Sequence, residues 1–398
     1  MIDKRNSLYV LALTTINFIL QCDFVVLMPL GPTLMKSFGL SPAEFSTLIS
    51  VYTISSGIIG IIFSLVVNLF NKKHFLLIGL LGLGIASYMT GVSKSYEQLA
   101  LARLLAGLFS GIVNPLIFAI VADIIHLEVR GKAMGWIMSG FSLASVLGVP
   151  FGLYLSDTFG HYITFSVIAL IFGLIFVLVI FTIPSIPRTE TSLNFRTLFH
   201  ELRRALNNPS YVLGYSLLFI VSGSIFLLVP LLSPFAVANM KIDVTNLKYM
   251  YLIGGILTIF TSRVFGVLTD KLGPHKTFTI ASIGSCIPIY LFTTSGPINL
   301  IWFFVLGSVF MSLISGKMVP SMTLVSGLPS PEDRGRFMGI LNSMRGFGSA
   351  IFAYFAGVFV TSATPTSPLI GFNVMGIYAI GLTIISVAIS LVLSIRDN

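Results

Sequence analysis

Charge is what this chain has least of. Only 9% of its 398 residues are charged and only 14 are acidic, while 55% are apolar and 34 are Phe. A soluble domain so poor in charge would have too little polar surface to stay dissolved. Cysteine is nearly absent. Cys22 and Cys286 both fall inside apolar runs, so a disulfide scaffold is excluded and both read as small buried residues. His74, His126, His161, His200 and His275 are scattered over different loops with no metal-ligand spacing. There is no phosphate-cradling Gly-rich loop with a Lys-Ser pair and no recognisable nucleophile–base set. Nor is there a polar stretch long enough for a soluble catalytic or sensory domain. An enzyme is therefore not expected, and neither is a metal or a cofactor.

What the chain does have is twelve long apolar runs. They lie near 8–30, 45–67, 75–92, 96–121, 133–155 and 162–183, then near 210–235, 247–269, 277–294, 299–325, 337–361 and 371–394. Each can cross about 30 Å of hydrocarbon as a helix of roughly 20 residues. Barrel strands would be about half as long and would alternate polar with apolar residues. The expected fold is therefore an all-α membrane protein. Lys4, Arg5, Lys72, Lys73, Arg130, Lys132, Arg188, Arg196, Arg203, Arg204, Lys271, Lys276, Arg334, Arg336 and Arg396 fall on one side of these runs, and only Lys36, Lys94, Lys241 and Lys248 on the other. That bias, like the even number of runs, predicts that both termini are cytoplasmic. The net charge of +9 then reflects loops facing anionic lipid head groups and calls for no nucleic acid partner. The first run keeps Asn17, Gln21 and Asp23 and leads straight into the second, so it is expected to be an uncleaved span.

The chain divides in two. The longest loop, Pro184 to Pro209, separates six runs from six, giving expected units 1–183 and 210–398 joined by 184–209. Within the loop Phe195, Leu198, Phe199, Leu202 and Leu206 recur at helical spacing around Arg196, Arg203 and Arg204, which predicts a short amphipathic helix on the membrane surface. The halves echo each other. "VRGKAMG" at 129–135 returns as "DRGRFMG" at 333–339, "SGIVNP" at 110–115 returns as "SGKMVP" at 315–320, and "NLFNKKH" after run 2 has a counterpart in "DKLGPHK" after run 8. Three matches at a nearly constant offset indicate an internal duplication, the architecture that permits alternating access.

These motifs, together with "GVLTDKLGPHK" at 266–276, "ARLLAGLFSG" at 102–111, "ADIIHLEVRGKAMG" at 122–135 and "GVPFG" at 148–152, resemble the major facilitator superfamily over essentially the whole chain. Within it the chain looks most like bacterial drug and metabolite proton antiporters, including sugar-efflux permeases. The resemblance implies twelve transmembrane helices in two pseudo-symmetric six-helix bundles and a place in the bacterial cytoplasmic (inner) membrane. The expected partners are a small organic solute, protons and membrane lipids, and the expected working unit is a monomer.

The family's loop pattern is a Gly, an Asp-Arg pair, a Gly and two basic residues. The second half keeps Gly266, Asp270, Lys271, Gly273 and Lys276, whereas the matched first-half positions read Ser64, Asn68, Leu69, Asn71, Lys72 and Lys73. Gly266 would let helices approach closely, and Asp270 would accept from a neighbouring helix N-terminus or an Arg in one conformation only, with Arg263 a candidate. Asn68 replaces the first-half acid, so a neutral bond stands where a charge-assisted one would. Asp123 with Arg130, and Glu332 or Asp333 with Arg334, supply further candidate loop pairs. Gly148 and Pro150 lie where the antiporter pattern has an adjacent Gly-Pro pair, here interrupted by Val149, and read as a packed, kinked gate.

Charges inside spans are costly and functional by default. Asp23 lies roughly 22 Å along run 1. Burial favours a protonated carboxyl and a nearby cation favours the ionised form, so conformation could switch its proton. Arg103 in run 4 stays charged, and its natural task is to pair with Asp23. The resemblance implies a part in proton transfer for Arg103, ahead of Gly107 and Gly111. Lys317 and Arg345 lie roughly 12 Å from the basic ends of runs 10 and 11, with no acid inside any second-half run, and suggest a cavity that welcomes negative charge. Asn17, Gln21, Asn114 and Asn342 are candidate neutral ligands for the solute. The leading expectation is a proton-coupled exporter of a small organic metabolite or drug. A proton-coupled importer of an organic anion uses the same parts, and a lipid or lysolipid carrier would show a lateral opening lined by Phe. A non-transporting receptor or scaffold is the reading from a different class.

Overall fold

The computed structural model describes residues 4–186, 207–329 and 334–396. Among these the chain is almost wholly helical, with one isolated β-bridge between Thr361 and Ile370. The first run is two helices, α1 (Lys4–Val26) and α2 (Gly31–Phe38). Pro29 and Pro32 lack the N–H groups a continuous helix would use there. α3 (Pro42–Val66) starts on a capping box, in which the Glu44 amide donates to Ser41 Oγ and the Ser41 amide donates to Glu44 Oε2 at 2.8 Å. α4 (Lys72–Val92) and α5 (Tyr96–Ile124) are capped by Asn71 and Ser95. The fifth run comprises α6 (Leu127–Leu143), one π turn at Ala144–Gly148 and α7 (Val149–Phe159), and α8 (His161–Thr182) follows. Pro150 cannot donate to the preceding turn and its ring crowds it; the wider π turn absorbs the misfit, so the helix continues instead of breaking.

The later helices repeat this plan. α9 (Pro209–Phe226) and α10 (Val229–Ala238) form a broken helix like α1 and α2, with Pro230 and Pro234 just past the break. α11 (Leu247–Leu272), α12 (Pro274–Thr294), α13 (Leu300–Ser326), α14 (Arg334–Phe359) and α15 (Phe372–Arg396) complete the set. Eleven segments are long and apolar enough to cross a membrane, one fewer than the runs read from the sequence. α14 has 26 residues but falls short on hydropathy, because Asn342, Ser343, Arg345 and five glycines dilute it. The amphipathic helix expected near 195–206 lies outside the described residues, as do Glu332 and Asp333 and the side chains of Asn68 and Arg334.

Small residues set the helix contacts. A methyl group on Gly111 of α5 would come within 2.7 Å of the Ser56 carbonyl of α3. Gly140, Gly148 and Gly152 lie against Phe18, Cys22 and Val26 of α1. The Gly148–Pro150 segment therefore packs within the first half, and the contact with the second half comes from its neighbours. Gly255 of α11 would place a Cβ 3.0 Å from Val146 and 3.2 Å from the Ser145 carbonyl.

The two ends of the molecule differ. Away from the basic loops, Lys248 of α11 pairs with Asp157 of α7 at 3.0 Å, Phe24 stacks on Phe226 at 6.0 Å, and Gly31 abuts Pro234. Toward the basic loops α6 and α11 part. No residue from Ile256 to Val264 is buried, and a Cβ on Gly131, Gly135 or Gly266 would meet nothing within 4 Å. Gly266 is thus no close-approach point in this conformation. On the other flank α14 follows α3 throughout, with Gly357 on Ala43 and Ser46, Ser50 Oγ donating to the Ala350 carbonyl at 2.9 Å, and Phe347 over Gly57.

The Lys248–Asp157 pair is a partly exposed ion pair joining α11 to α7, worth about 0.2–1 kcal/mol. Asp157→Asn should shift the α7–α11 contact toward separation by less than about tenfold. Spin-label distances across the α7–α11 contact check this, and unchanged populations would mean that the pair does not hold the two helices together.

Candidate functional site

Asp23 sits one turn before the end of α1 and is completely buried. Its carboxylate accepts from Arg103 Nη1 at 3.2 Å and Nη2 at 3.3 Å, and from Ser87 Oγ at 2.5 Å. Arg103, on α5, is also fully buried. Its Nη1 donates to the Asp23 carbonyl as well, and its Nε and Nη2 donate to Thr90 Oγ1 at 3.1 and 2.7 Å. The guanidinium lies 5.4 Å from the Phe165 ring centre and 5.8 Å from that of Tyr52. Ser87 and Thr90 reach the pair together because residues three apart share a helix face. The arrangement is a two-pronged, charge-assisted clamp sealed by aromatic rings. Ser87 and Thr90 do not stand out in the sequence, where hydroxyls are too common in apolar runs to mark a site, and neither does Phe165 among 34 Phe; Tyr52 is a candidate hydrogen-bonding residue from the sequence, and here it lies over the guanidinium. A buried pair of this kind resists removal of either member, at about 3–5 kcal/mol.

The two deep cations of the second half part company. Arg345 on α14 is solvent-accessible although protein surrounds it. Its guanidinium makes no hydrogen bond or ion pair with any described residue, and neither does the amide of Asn342, one turn away on the same face. The next residue, Gly346, lies beside α3, where an added Cβ would stand 3.7 Å from the Thr53 carbonyl. Lys317 is only 1% exposed. Its Nζ donates to Ser224 Oγ on α9 at 3.1 Å and to Thr383 Oγ1 on α15 at 3.4 Å. It points into the packed interior of the second half and does not share Arg345's space. Lys317 and Arg345 therefore form no joint positive site, and of these two only Arg345 is without a partner among the described residues.

The neutral candidates also divide. Asn17 Nδ2 donates to the Ile137 carbonyl of α6 at 2.7 Å, and Gln21 donates to Asn17 Oδ1 at 3.3 Å. Asn17 is helix glue, while Gln21 keeps partial exposure. Asn114 donates to Ser110, which also receives Ser56 Oγ, and remains half-buried.

The loop pairs are rearranged. Asp123 pairs with Lys72 at 2.6 Å, not with Arg130. Arg130 instead reaches the Ala122 and Ile125 carbonyls at 2.6 and 3.4 Å, where the C-terminal end of α5 leaves acceptors open. Lys72 and Asp123 tie α4 to α5 and do not bridge the two halves. Arg263 and Asp270 are both exposed and unpaired among the described residues. Seven residues apart on one helix, they are separated by roughly 10 Å of rise, beyond direct contact. Among the described residues no cluster of His, Cys, Asp and Glu could hold a metal.

Comparison with known proteins adds the following. The family model described as Major Facilitator Superfamily matches residues 13–232 and again 214–397. Multidrug resistance protein 1 of Bacillus subtilis is 27% identical over 155 residues, which cover 39% of this chain and 40% of that protein. Multidrug resistance protein 2 of the same organism is 23% identical over 299 residues, covering 73% and 74%. The crystal structure of a bacterial homologue of the human lysosomal transporter Spinster, inward-facing and unoccupied, superposes with a TM-score of 0.79 at 15% identity, over 98% of this chain and 97% of that one.

Proposed function

Because the chain belongs to the Major Facilitator Superfamily and is a membrane transporter, not an enzyme, we propose that it is a proton-driven carrier of a small, partly anionic organic solute, working by alternating access. The observation that carries the coupling is the sealed Asp23–Arg103 clamp. Protonating the carboxyl removes the charge that holds two Arg103 N–H groups, so the hold of α5 on α1 is weakened to the bond with the Asp23 backbone carbonyl. Losing that proton to water restores the clamp. A group whose ionic partner depends on conformation links proton binding to movement of helices. Arg345, unpaired in an accessible space, supports an anionic group on the solute.

The remaining architecture fits this reading. α14, at 26 residues, is long enough to act as the twelfth span. Residues 1–183 and 210–398 form two related bundles joined by 184–209, which the double match of the family model supports. Both termini then face the cytoplasm of a bacterial cell. The two multidrug relatives favour export of a drug or metabolite, and the free cation favours an organic anion as cargo. A second reading, an amphiphile with an anionic head, draws on the parted α6 and α11, where Trp136, Phe141 and Phe260 are exposed. Proteoliposomes with a pH gradient of either polarity, given neutral, cationic and anionic solutes, test all of this. Gradient-driven accumulation confined to anions is expected. Accumulation that ignores the gradient, or that favours cations, would overturn the proposal.

A further inference from the structure

Lys317 has no part in the clamp or in the accessible space, yet it is among the largest fully buried side chains of the molecule. An ammonium has three N–H donors, while a neutral amine has two and a lone pair. Lys317 Nζ has two acceptors, Ser224 Oγ and Thr383 Oγ1. Both hydroxyls spend their own hydrogens on backbone, Ser224 on the Val221 carbonyl and Thr383 on the Ala379 carbonyl, each at 2.8 Å. They can therefore only accept from the lysine. No described carboxylate pairs with it. Two acceptors and no counter-charge suit –NH2, and would leave an ammonium with an unmatched N–H and an uncompensated charge.

The helices packed on α13 are α9, α11, α12 and α15. Of their titratable groups, only the Cys286 thiol of α12 interacts electrostatically with Lys317, and that thiol donates to the Ser282 carbonyl. His275 of α12 bonds Ser390, Tyr251 of α11 bonds Ser233, Arg263 of α11 is exposed, and Tyr215 of α9 stacks on Phe337. The tyrosine of α15, Tyr378, is exposed.

We infer that Lys317 is a second proton-binding site, placed in the second half, whose amine is uncharged in this conformation and takes up a proton when the helices around it rearrange. The proton comes from water onto the nitrogen lone pair, forming one N–H bond, and returns to water when α9 and α15 close on the amine again. Asp23 and Lys317 would then place one proton site in each half. The inference rests on the proton-driven reading above, but its test is separate because Asp23 is left intact.

Double electron–electron resonance between spin labels at Lys132 and Lys271, the exposed basic ends of the two parted helices, reads the opening without any solute. Wild type should respond to pH in two steps. Lys317→Met should lose one step and keep the Asp23-dependent one. Lys317→Arg, which stays charged, should fail to reach the distances of this structure at any pH. Should the two replacements at Lys317 prove unstable, Ser224→Asp keeps the lysine, gives it a permanent counter-charge, and should erase the same step. The inference is overturned if Lys317→Met or Ser224→Asp retains the wild-type pH response, or if Lys317→Arg is indistinguishable from wild type.

Discussion

Asp23→Asn is expected to abolish pH-driven accumulation in proteoliposomes while leaving an inserted carrier that still equilibrates solute. Asn matches Asp in shape but cannot take up the proton. It also leaves the Arg103 guanidinium buried without its counter-charge, a loss of about 3–5 kcal/mol for a fully buried pair. Part of that is recovered, since Arg103 keeps Thr90 Oγ1 and the backbone carbonyl of residue 23 as acceptors. The folded carrier should therefore survive with a lowered Tm. Arg103→Met should cost as much, because it strands the carboxylate. The double replacement should be less destabilised than the sum of the two, since neither charge is then left alone. Undiminished gradient-driven accumulation by a correctly inserted Asp23→Asn carrier would remove Asp23 from coupling.

Arg345→Met is expected to weaken binding of organic carboxylates about tenfold to a hundredfold, the equivalent of roughly 1.5–3 kcal/mol for a charge-assisted hydrogen bond. The neutral amides of the same compounds should change little. The contrast with Lys317 sharpens the test. Lys317 bonds Ser224 and Thr383 inside the second half, so Lys317→Met should leave affinity for those carboxylates nearly unchanged. Isothermal titration of purified carrier with the paired compounds separates these outcomes. Equal losses for carboxylates and amides would mean that Arg345 shapes the cavity and does not bind charge.

The spans were legible because an apolar run of membrane length has one interpretation. Their interruptions were harder to read. The breaks after Val26 and Phe226 follow from Pro29, Pro32, Pro230 and Pro234, but Pro150, equally visible, is absorbed by a π turn packed on Cys22. Whether a proline breaks a helix depends on what the neighbouring helix allows. Asp23 and Arg103 stood out as deep opposite charges, and the structure brings them together. Lys317 and Arg345 show the limit of that reasoning. Their depth along the helix could be counted from the sequence and is similar, but depth does not give azimuth. One points into a packed interior and the other into an accessible space. The same limit hid the Lys72–Asp123 pair, which depends on how α4 and α5 are juxtaposed.

The proposed proton coupling through Asp23 is tested without knowing the solute by infrared difference spectroscopy of the reconstituted carrier during a pH jump. Asp23 is the only described carboxylate deep inside a span, so a buried carboxylic acid signal has one source. The account predicts that such a band appears when the clamp opens, disappears when it closes, and is missing in Asp23→Asn. A carboxylate that stays ionised throughout, or the same band in Asp23→Asn, would contradict it.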